Sequence, residues 1–441
     1  MLGTRKAAHP PAAASRPDAW RIVAAAMFAC GWGGNQFTPL LLMYRRLGGY
    51  STLSVDAFLG AYVVGLVPGL LLAGPVSDRR GRRPVLVAGT VASAVASLVL
   101  CFGGQSPWPL YAGRLTTGIA VGIAMAVGSS WVKELSSDAG GGLAARRASL
   151  CQTAGFGLGA GVAGALAQWG PWPMVTPYAV HVLLTLAIPV LLLRVPETRP
   201  PLPYEGGPVR GLLTGLVADL RVPMPARRRF RLVVLPMAPW VFGAAGLAYA
   251  VMPQLVGSRA GHWGLAYATG LTVLTLGMGA AVQPVAKRLE RGAGARAGRA
   301  PVAAMAVMLL GAALCAANAV LLSPWLAAAT AVILGAGYGI AVVSGLLEIQ
   351  RMAGPDDLAG LTGVYYTLAY AGFLLPTVLA TLSAWLSYPV MLTAVAAAAL
   401  LCLALVATGA RVTAAMTATE EERSQRRPAP APWEHRRAGR G

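Results

Sequence analysis

Few side chains in this sequence could do chemistry, and most of them stand alone among apolar neighbours. Arg114 is the one basic residue well inside an apolar run. A charge there costs at least ~2.5 kcal/mol on membrane-insertion scales unless paired or hydrated, so a role in a cargo or ion path is the default reading. Asp56 and His181 are the two groups in comparable surroundings that could carry a proton. Adjacent amides at Asn35 and Gln36 need a partner or a wet cavity, because a bare amide facing hydrocarbon is disfavoured. A denser arrangement runs from Gly74 to Pro84, where Asp78 lies among Arg79, Arg80, Arg82 and Arg83, with Gly81 placed for a tight reversal. Asp356 and Asp357 immediately precede another apolar run, where an acid caps helix N–H groups and meets the dipole. The five cysteines (Cys30, Cys101, Cys151, Cys315 and Cys402) are scattered singly, so neither a metal site nor a disulfide framework is expected. No acid pair or metal cluster suits a membrane transferase, and no Gly-x-x-x-x-Gly-Lys-Ser/Thr loop suits a nucleotide-driven pump. Thus no catalytic residue and no cofactor are expected; the chemistry on offer is hydrogen bonding, ion pairing and proton exchange.

The elements that hold these residues follow from composition. Of 441 residues 56% are hydrophobic and only 12% charged, whereas soluble domains carry about a quarter charged residues. An all-α membrane protein is the class that fits. A spanning helix needs about 20 apolar residues, and twelve runs qualify. In the first half these are Arg21–Tyr44 (span 1), Val55–Ala73 (span 2), Pro84–Gly103 (span 3), Pro109–Trp131 (span 4), Ser149–Trp169 (span 5) and Val175–Leu193 (span 6). The second half supplies Arg231–Gln254 (span 7), Gly264–Ala286 (span 8), Pro301–Leu322 (span 9), Trp325–Leu347 (span 10), Leu358–Leu382 (span 11) and Pro389–Gly409 (span 12).

The net charge of +20 does not point to nucleic acid, because the Lys and Arg residues lie mostly in short loops between these runs. Counting places 32 on one side of the membrane and three on the other, which by the positive-inside rule puts both termini in the cytoplasm. The organisation is then an N-terminal arm (1–20), a six-helix half (21–193), a cytoplasmic central loop (194–230), a second six-helix half (231–409) and a disordered basic tail (410–441). Within the central loop, Val209, Leu212, Leu213, Leu216, Val217 and Leu220 recur at helical spacing, as in an amphipathic helix on the membrane surface. In this frame Asp56 and Arg114 share the outer layer. Snorkelling is the bland reading of Arg114, and a water-facing first-turn acid is that of Asp56. A satisfied structural histidine is the better reading of His181.

The stretch Gly74-Pro-Val-Ser-Asp78-Arg79-Arg80-Gly81-Arg82-Arg83 closely resembles the signature loop of the major facilitator superfamily, Gly-x-Leu-Ala-Asp-Arg-x-Gly-Arg-Arg, with Val76 and Ser77 as the departures. A degenerate copy, Gln283-Pro-Val-Ala-Lys287-Arg288, follows span 8. Arg114-Leu-Thr-Thr-Gly118 resembles the fourth-helix motif, and the span 5 glycines from Gly155 to Gly164 resemble the antiporter motif of drug exporters, with Ala160 replacing its proline. The resemblance implies two pseudo-symmetric six-helix halves with cargo between them. It makes spans 1, 4, 7 and 10 cavity-lining, and so nominates Asn35, Gln36, Arg114, Met125, Trp240, Tyr249 and Tyr338. It also packs the signature loop against span 11. Arg79, Arg82 and Arg83 would then meet Asp356 and Asp357, with Gly74 close to Gly360 or Gly363. On the pseudo-symmetric side Lys287 and Arg288 would meet Arg146 and Arg147, so the expected latch is one-sided.

The function expected is secondary transport by alternating access in a bacterial cytoplasmic membrane, by a monomer. Its cargo would be a lipophilic or amphipathic small molecule, neutral or weakly anionic, exported in exchange for protons. Asp56, Arg114 and His181 are the coupling candidates. Import of a small metabolite is the alternative.

Overall fold

A computed structural model describes residues 18–136, 141–201, 226–290, 298–352 and 358–425. The amphipathic segment of the central loop, Asp138, Asp356 and Asp357 lie outside the described residues. Twelve helical spans run between two polar faces, and no strand occurs among the described residues. Span 1 is broken: Ala19–Asn35, then a 3₁₀ turn Thr38–Leu40, then Leu41–Arg46. Pro39 explains the break, because it offers no N–H to the Asn35 carbonyl. Span 2 (Thr52–Arg80) starts at Ser51, whose Oγ accepts from the Ser54 N–H at 3.1 Å. Span 3 is Arg82–Leu100. Span 4 runs from Pro107 through a π-helical segment, Ala124–Gly128, to Glu134. Span 5 is Gly141–Trp169, and span 6 is the short pair Thr176–Thr185 and Ile188–Leu192.

In the second half, span 7 (Arg227 to Val256) carries two π-helical segments, Phe230–Val234 and Leu247–Val251. Span 8 is Gly264–Ala281, extended by Gln283–Glu290; span 9 is Arg299–Leu321 and span 10 is Pro324–Met352. Span 11 breaks at a 3₁₀ turn, Gly372–Leu374, between Leu358–Ala371 and Leu375–Leu382. Span 12, Tyr388–Gln425, differs from the expectation of disorder beyond residue 410. Its sequence there (Ala414, Ala415, then Glu420–Glu422) contains good helix formers and no proline, so the helix propagates.

Small residues set the packing, as membrane helices lack a hydrophobic drive toward one another. Spans 2 and 4 touch backbone to backbone: a Cβ on Gly65 would overlap the Leu115 carbonyl, and one on Gly118 the Tyr62 carbonyl. Spans 8 and 10 repeat this contact through Gly279, Gly335 and Gly339. In span 5 the motif glycines divide their work, Gly155 and Gly159 lying against span 1 and Gly161 and Gly164 against span 8. The halves also meet where Gly60 of span 2 faces Leu374 and Thr377 of span 11. Each half has its own apolar core, and a third cluster joins spans 1, 2 and 4 to Tyr249, Tyr370 and Phe373 across the seam. Gly118→Ala should therefore force spans 2 and 4 apart and destabilise by about 1–3 kcal/mol. Gly157→Ala, where a Cβ meets nothing within 4 Å, should not. Thermal unfolding of the two purified variants checks the contrast.

The two faces differ chemically. Exposed Arg79, Arg80, Lys133, Arg146, Lys287 and Arg288 lie on one, the basic face. Trp108, Trp169, Trp172, Trp263, Trp325 and Trp385 are more than half exposed at the other, the far face, as in an interfacial aromatic belt.

Candidate functional site

The breaks in spans 1 and 11, the π segment of span 4 and the second π segment of span 7, Leu247–Val251, lie along the seam between the halves. Arg114 sits there fully buried. Its Cζ lies 4.7 Å from the Phe37 ring centroid and 4.4 Å from that of Tyr62. Nη1 donates to the Gly34 carbonyl at 3.1 Å, beside the break in span 1. Its Nε is buried without an acceptor, and no acid pairs with it among the described residues. Snorkelling is thus corrected: the broken first span and the aromatic pair on either side hold the guanidinium inside. Two cation–π contacts offset part of the cost of burial. Tyr249 belongs to the same buried cluster as Phe37 and Tyr62, its ring centroid 6.2 Å from that of Phe373.

Opposite stands an aromatic wall. Phe242 stacks on Tyr370 at 4.1 Å and on Phe373 at 4.7 Å, with Tyr338 at 5.7 Å and Tyr366 6.4 Å from Tyr370. The Tyr370 hydroxyl reaches Met125 Sδ at 3.4 Å, joining span 11 to span 4. Tyr366, Tyr370 and Phe373 recur at i, i+4 and i+7. That helical stripe is the sequence signal which could have added span 11 to the lining. Phe37, Tyr62 and Phe242 carried no such signal.

Other nominated residues turn elsewhere. Gln36 donates through Nε2 to Ser97 Oγ at 2.8 Å, and Ser97 meets His181 Nδ1 at 2.8 Å. His181 Nε2 lies 2.9 Å from the Ala29 carbonyl. With Nε2 as the donor, Ser97 donates to Nδ1 and accepts from Gln36, a closed network binding spans 1, 3 and 6. Gln36 is therefore corrected from cavity lining to bundle glue, because on the still-helical backbone it lies about 200° around from Gly34, although its Oε1 is buried without a partner. Asn35 donates to the Phe156 carbonyl of span 5 at 3.0 Å and accepts from Thr38 Oγ1 at 2.7 Å. Trp240 is half-buried against the core of the second half.

Asp56 is buried rather than water-facing, and it does not pair with Arg114. Oδ1 accepts from Gln254 Nε2 of span 7 at 2.8 Å, and its backbone carbonyl accepts from Thr377 of span 11 at 2.8 Å. Gln254 Oε1 in turn accepts from Arg45 at 3.3 Å, while Arg46 donates to the carbonyls of Gly257 (2.8 Å) and Gly261 (3.2 Å). Nearby, Gln168 donates to the His262 carbonyl at 3.1 Å and accepts from the Ala266 N–H at 3.0 Å. These bonds all join one half to the other at the far face. Gln254, Thr377 and Gln168 had no distinguishing sequence signal.

At the basic face the ion pairs of Arg82, Arg229 and Arg351, all among the described residues, lie within one half each. Arg82 pairs with Glu134 of span 4 at 2.8 Å and with Asp78 at 3.0 Å, and donates to Ser77 Oγ. Among the described residues Arg82 is thus neutralised by its own half, while its expected partners Asp356 and Asp357 lie outside the described residues. Gly74, expected to admit a neighbouring helix, has nothing within 4 Å of a Cβ, whereas Gly81 makes the reversal with φ +93°. Glu197 accepts from the backbone N–H groups of Arg82 and Arg83 at 2.9 Å each, supplying the N-terminal cap that span 3 lacks. Arg79 is exposed and Arg83 half-buried. Arg147 lies over the Trp20 ring at 4.1 Å and donates to Ser136 Oγ at 3.1 Å, whereas Arg146, Lys287 and Arg288 are exposed. In the second half Glu348 is fully buried and grips Arg229 at 2.5 and 2.9 Å and Arg351 at 2.9 Å.

A family model described as Major Facilitator Superfamily matches residues 21–376, and the chain belongs to that superfamily. It is 36% identical over 124 residues to the gallate transporter of Pseudomonas putida, covering 27% of this chain and 26% of that one. It is 34% identical over 152 residues to multidrug efflux pump LfrA of Mycolicibacterium smegmatis, covering 33% of this chain and 29% of that one. The chain thus spans less than a third of either relative's length in the matched stretch. Among solved structures, nucleoside transporter NupG has TM-score 0.66 at 12% identity, covering 89% of this chain and 99% of that one. A POT family transporter in complex with 5-aminolevulinic acid has TM-score 0.70 at 12% identity, covering 90% and 96%. The fold is that of a multi-pass membrane transporter.

Proposed function

We propose that this protein exports a lipophilic or amphipathic small molecule, neutral or weakly anionic, by alternating access in exchange for protons. The observation that carries this reading is Arg114, buried with an aromatic wall at the seam between halves whose hydrogen-bonded ties, among the described residues, include a set at the far face. On this reading the basic face is cytoplasmic, the protein lies in a bacterial inner membrane as a monomer, and cargo enters from the side opposite the far-face ties. Similarity to LfrA supports export. Ala160 in place of the antiporter proline weakens the exporter resemblance and keeps import as the alternative. Accumulation in whole cells with and without a protonophore tests the direction. Export predicts that the protonophore raises cellular cargo in expressing cells, and a protonophore-sensitive rise in uptake on expression overturns export in favour of import.

Asp56 is the better coupling group of the two titratable candidates, since His181 is locked in a network within one half. Asp56→Asn should abolish pH-dependent accumulation while cargo counterflow in proteoliposomes persists. A variant that still concentrates cargo with a pH gradient removes Asp56 from the mechanism.

A further inference from the structure

Arg114 presents five N–H donors and no acceptor. One contact, to the Gly34 carbonyl, is made; Nε is buried and unpaired, and no carboxylate reaches the guanidinium among the described residues. Aromatic faces above and below satisfy the plane of the cation and leave its edge wanting an acceptor. Such an edge matches the two oxygens of a carboxylate, which a guanidinium binds with paired hydrogen bonds. Phe242, Tyr338, Tyr366 and Met125 retain partial exposure, although Phe242, Tyr366 and Met125 pack on the cluster that holds Phe37 and Tyr62. An acceptor-poor cation and a part-open aromatic wall therefore share one cluster.

Resting on the transporter reading above, we infer that the cargo is a small aromatic monocarboxylate. Its carboxylate takes the free edge of Arg114, and its ring lies on the wall formed by Phe242 and Tyr370. Tyr62, which covers the guanidinium here, turns aside to admit it. The wall supplies hydrophobic contact and ring stacking without a second charge. A neutral aromatic then lacks the ion pair, and a small aliphatic acid lacks the stacking surface.

The test uses purified full-length protein in chloride-free buffer, with thermal unfolding read against benzoate, benzamide, acetate and chloride. Benzoate should raise the unfolding midpoint in a saturable way, with half-saturation at least tenfold below that of benzamide or acetate. Arg114→Gln should abolish the benzoate response, and Phe242→Leu should weaken it severalfold; Arg114→Lys should keep part of it, showing that the site folds when charge is retained. Equal responses to benzoate and benzamide, an unchanged response in Arg114→Gln, or no response to benzoate would overturn the proposal, as would an effect of chloride matching that of benzoate. Counterflow of labelled benzoate in proteoliposomes separates the two levels of inference. Binding without counterflow contradicts the transporter reading, whereas export of an uncharged dye with no benzoate binding contradicts only the carboxylate.

Discussion

Arg114→Ala is expected to abolish transport while membrane abundance stays near that of the parent. The folded bundle loses one hydrogen bond to Gly34 and two cation–π contacts, worth about 0.5–2 kcal/mol each. Against that loss stands the removal of a buried charge without a counter-ion, so the net change in stability is small. Transport behaves differently, because no other cation faces the aromatic wall among the described residues. Arg114→Lys should rescue transport only partly, since a point charge replaces the planar fork. Initial rates normalised to membrane abundance decide the matter. Full activity in the Ala variant would remove the residue from the cargo path.

The second large effect is expected at Glu348. Its carboxylate is fully buried while Arg229 and Arg351 are 19% and 35% exposed at their side chains. Glu348→Leu removes the carboxylate that Arg229 and Arg351 share, and both side chains are exposed enough to turn toward water, at a cost of about 2–3 kcal/mol, below the ~3–5 kcal/mol of a wholly buried pair. Arg229→Leu should cost more, because the carboxylate cannot follow its lost partner out. The double replacement Glu348→Leu/Arg229→Leu should recover most of the loss, since packed apolar groups substitute well for a buried ion pair. Thermal unfolding of the three variants orders them; a double variant as unstable as Arg229→Leu alone would show that the pair is not the source of the effect.

The symmetry of the halves gives these positions a common frame. Glu134 and Glu348 end spans 4 and 10, which correspond across the two halves. Glu134 grips the start of span 3 through Arg82, whereas Glu348 grips the start of span 7 through Arg229. Each half is therefore fastened internally at the basic face, by different helices. The ties between halves lie at the far face, through Arg45, Arg46, Asp56, Gln168, Gln254 and Thr377. A rigid half that rocks on its partner needs such a division, with bonds that persist inside each half and bonds that break between them.

Local features of the chain determined the membrane class, the run of apolar spans, the contrast between the basic face and its opposite, and the superfamily. Each of these is a property of composition or of a short motif: hydrocarbon length sets the spans, and the signature loop is ten consecutive residues. The expectations for Asp356, Asp357 and a central-loop helix rest on local sequence alone, since those residues lie outside the described ones. Rotation and partnership were settled only by the tertiary structure. Gln36 lies two residues from Gly34, whose carbonyl holds Arg114, and so points to the opposite side of the helix, about 200° around, where it meets Ser97 of span 3. Asp56 finds its partners 198 and 321 residues away, and Glu348 becomes the buried centre of an ion-pair cluster only when span 7 docks on span 10. Hydropathy records whether a helix enters the membrane and is blind to which of its faces meets a neighbour, because lipid and a packed helix are equally apolar.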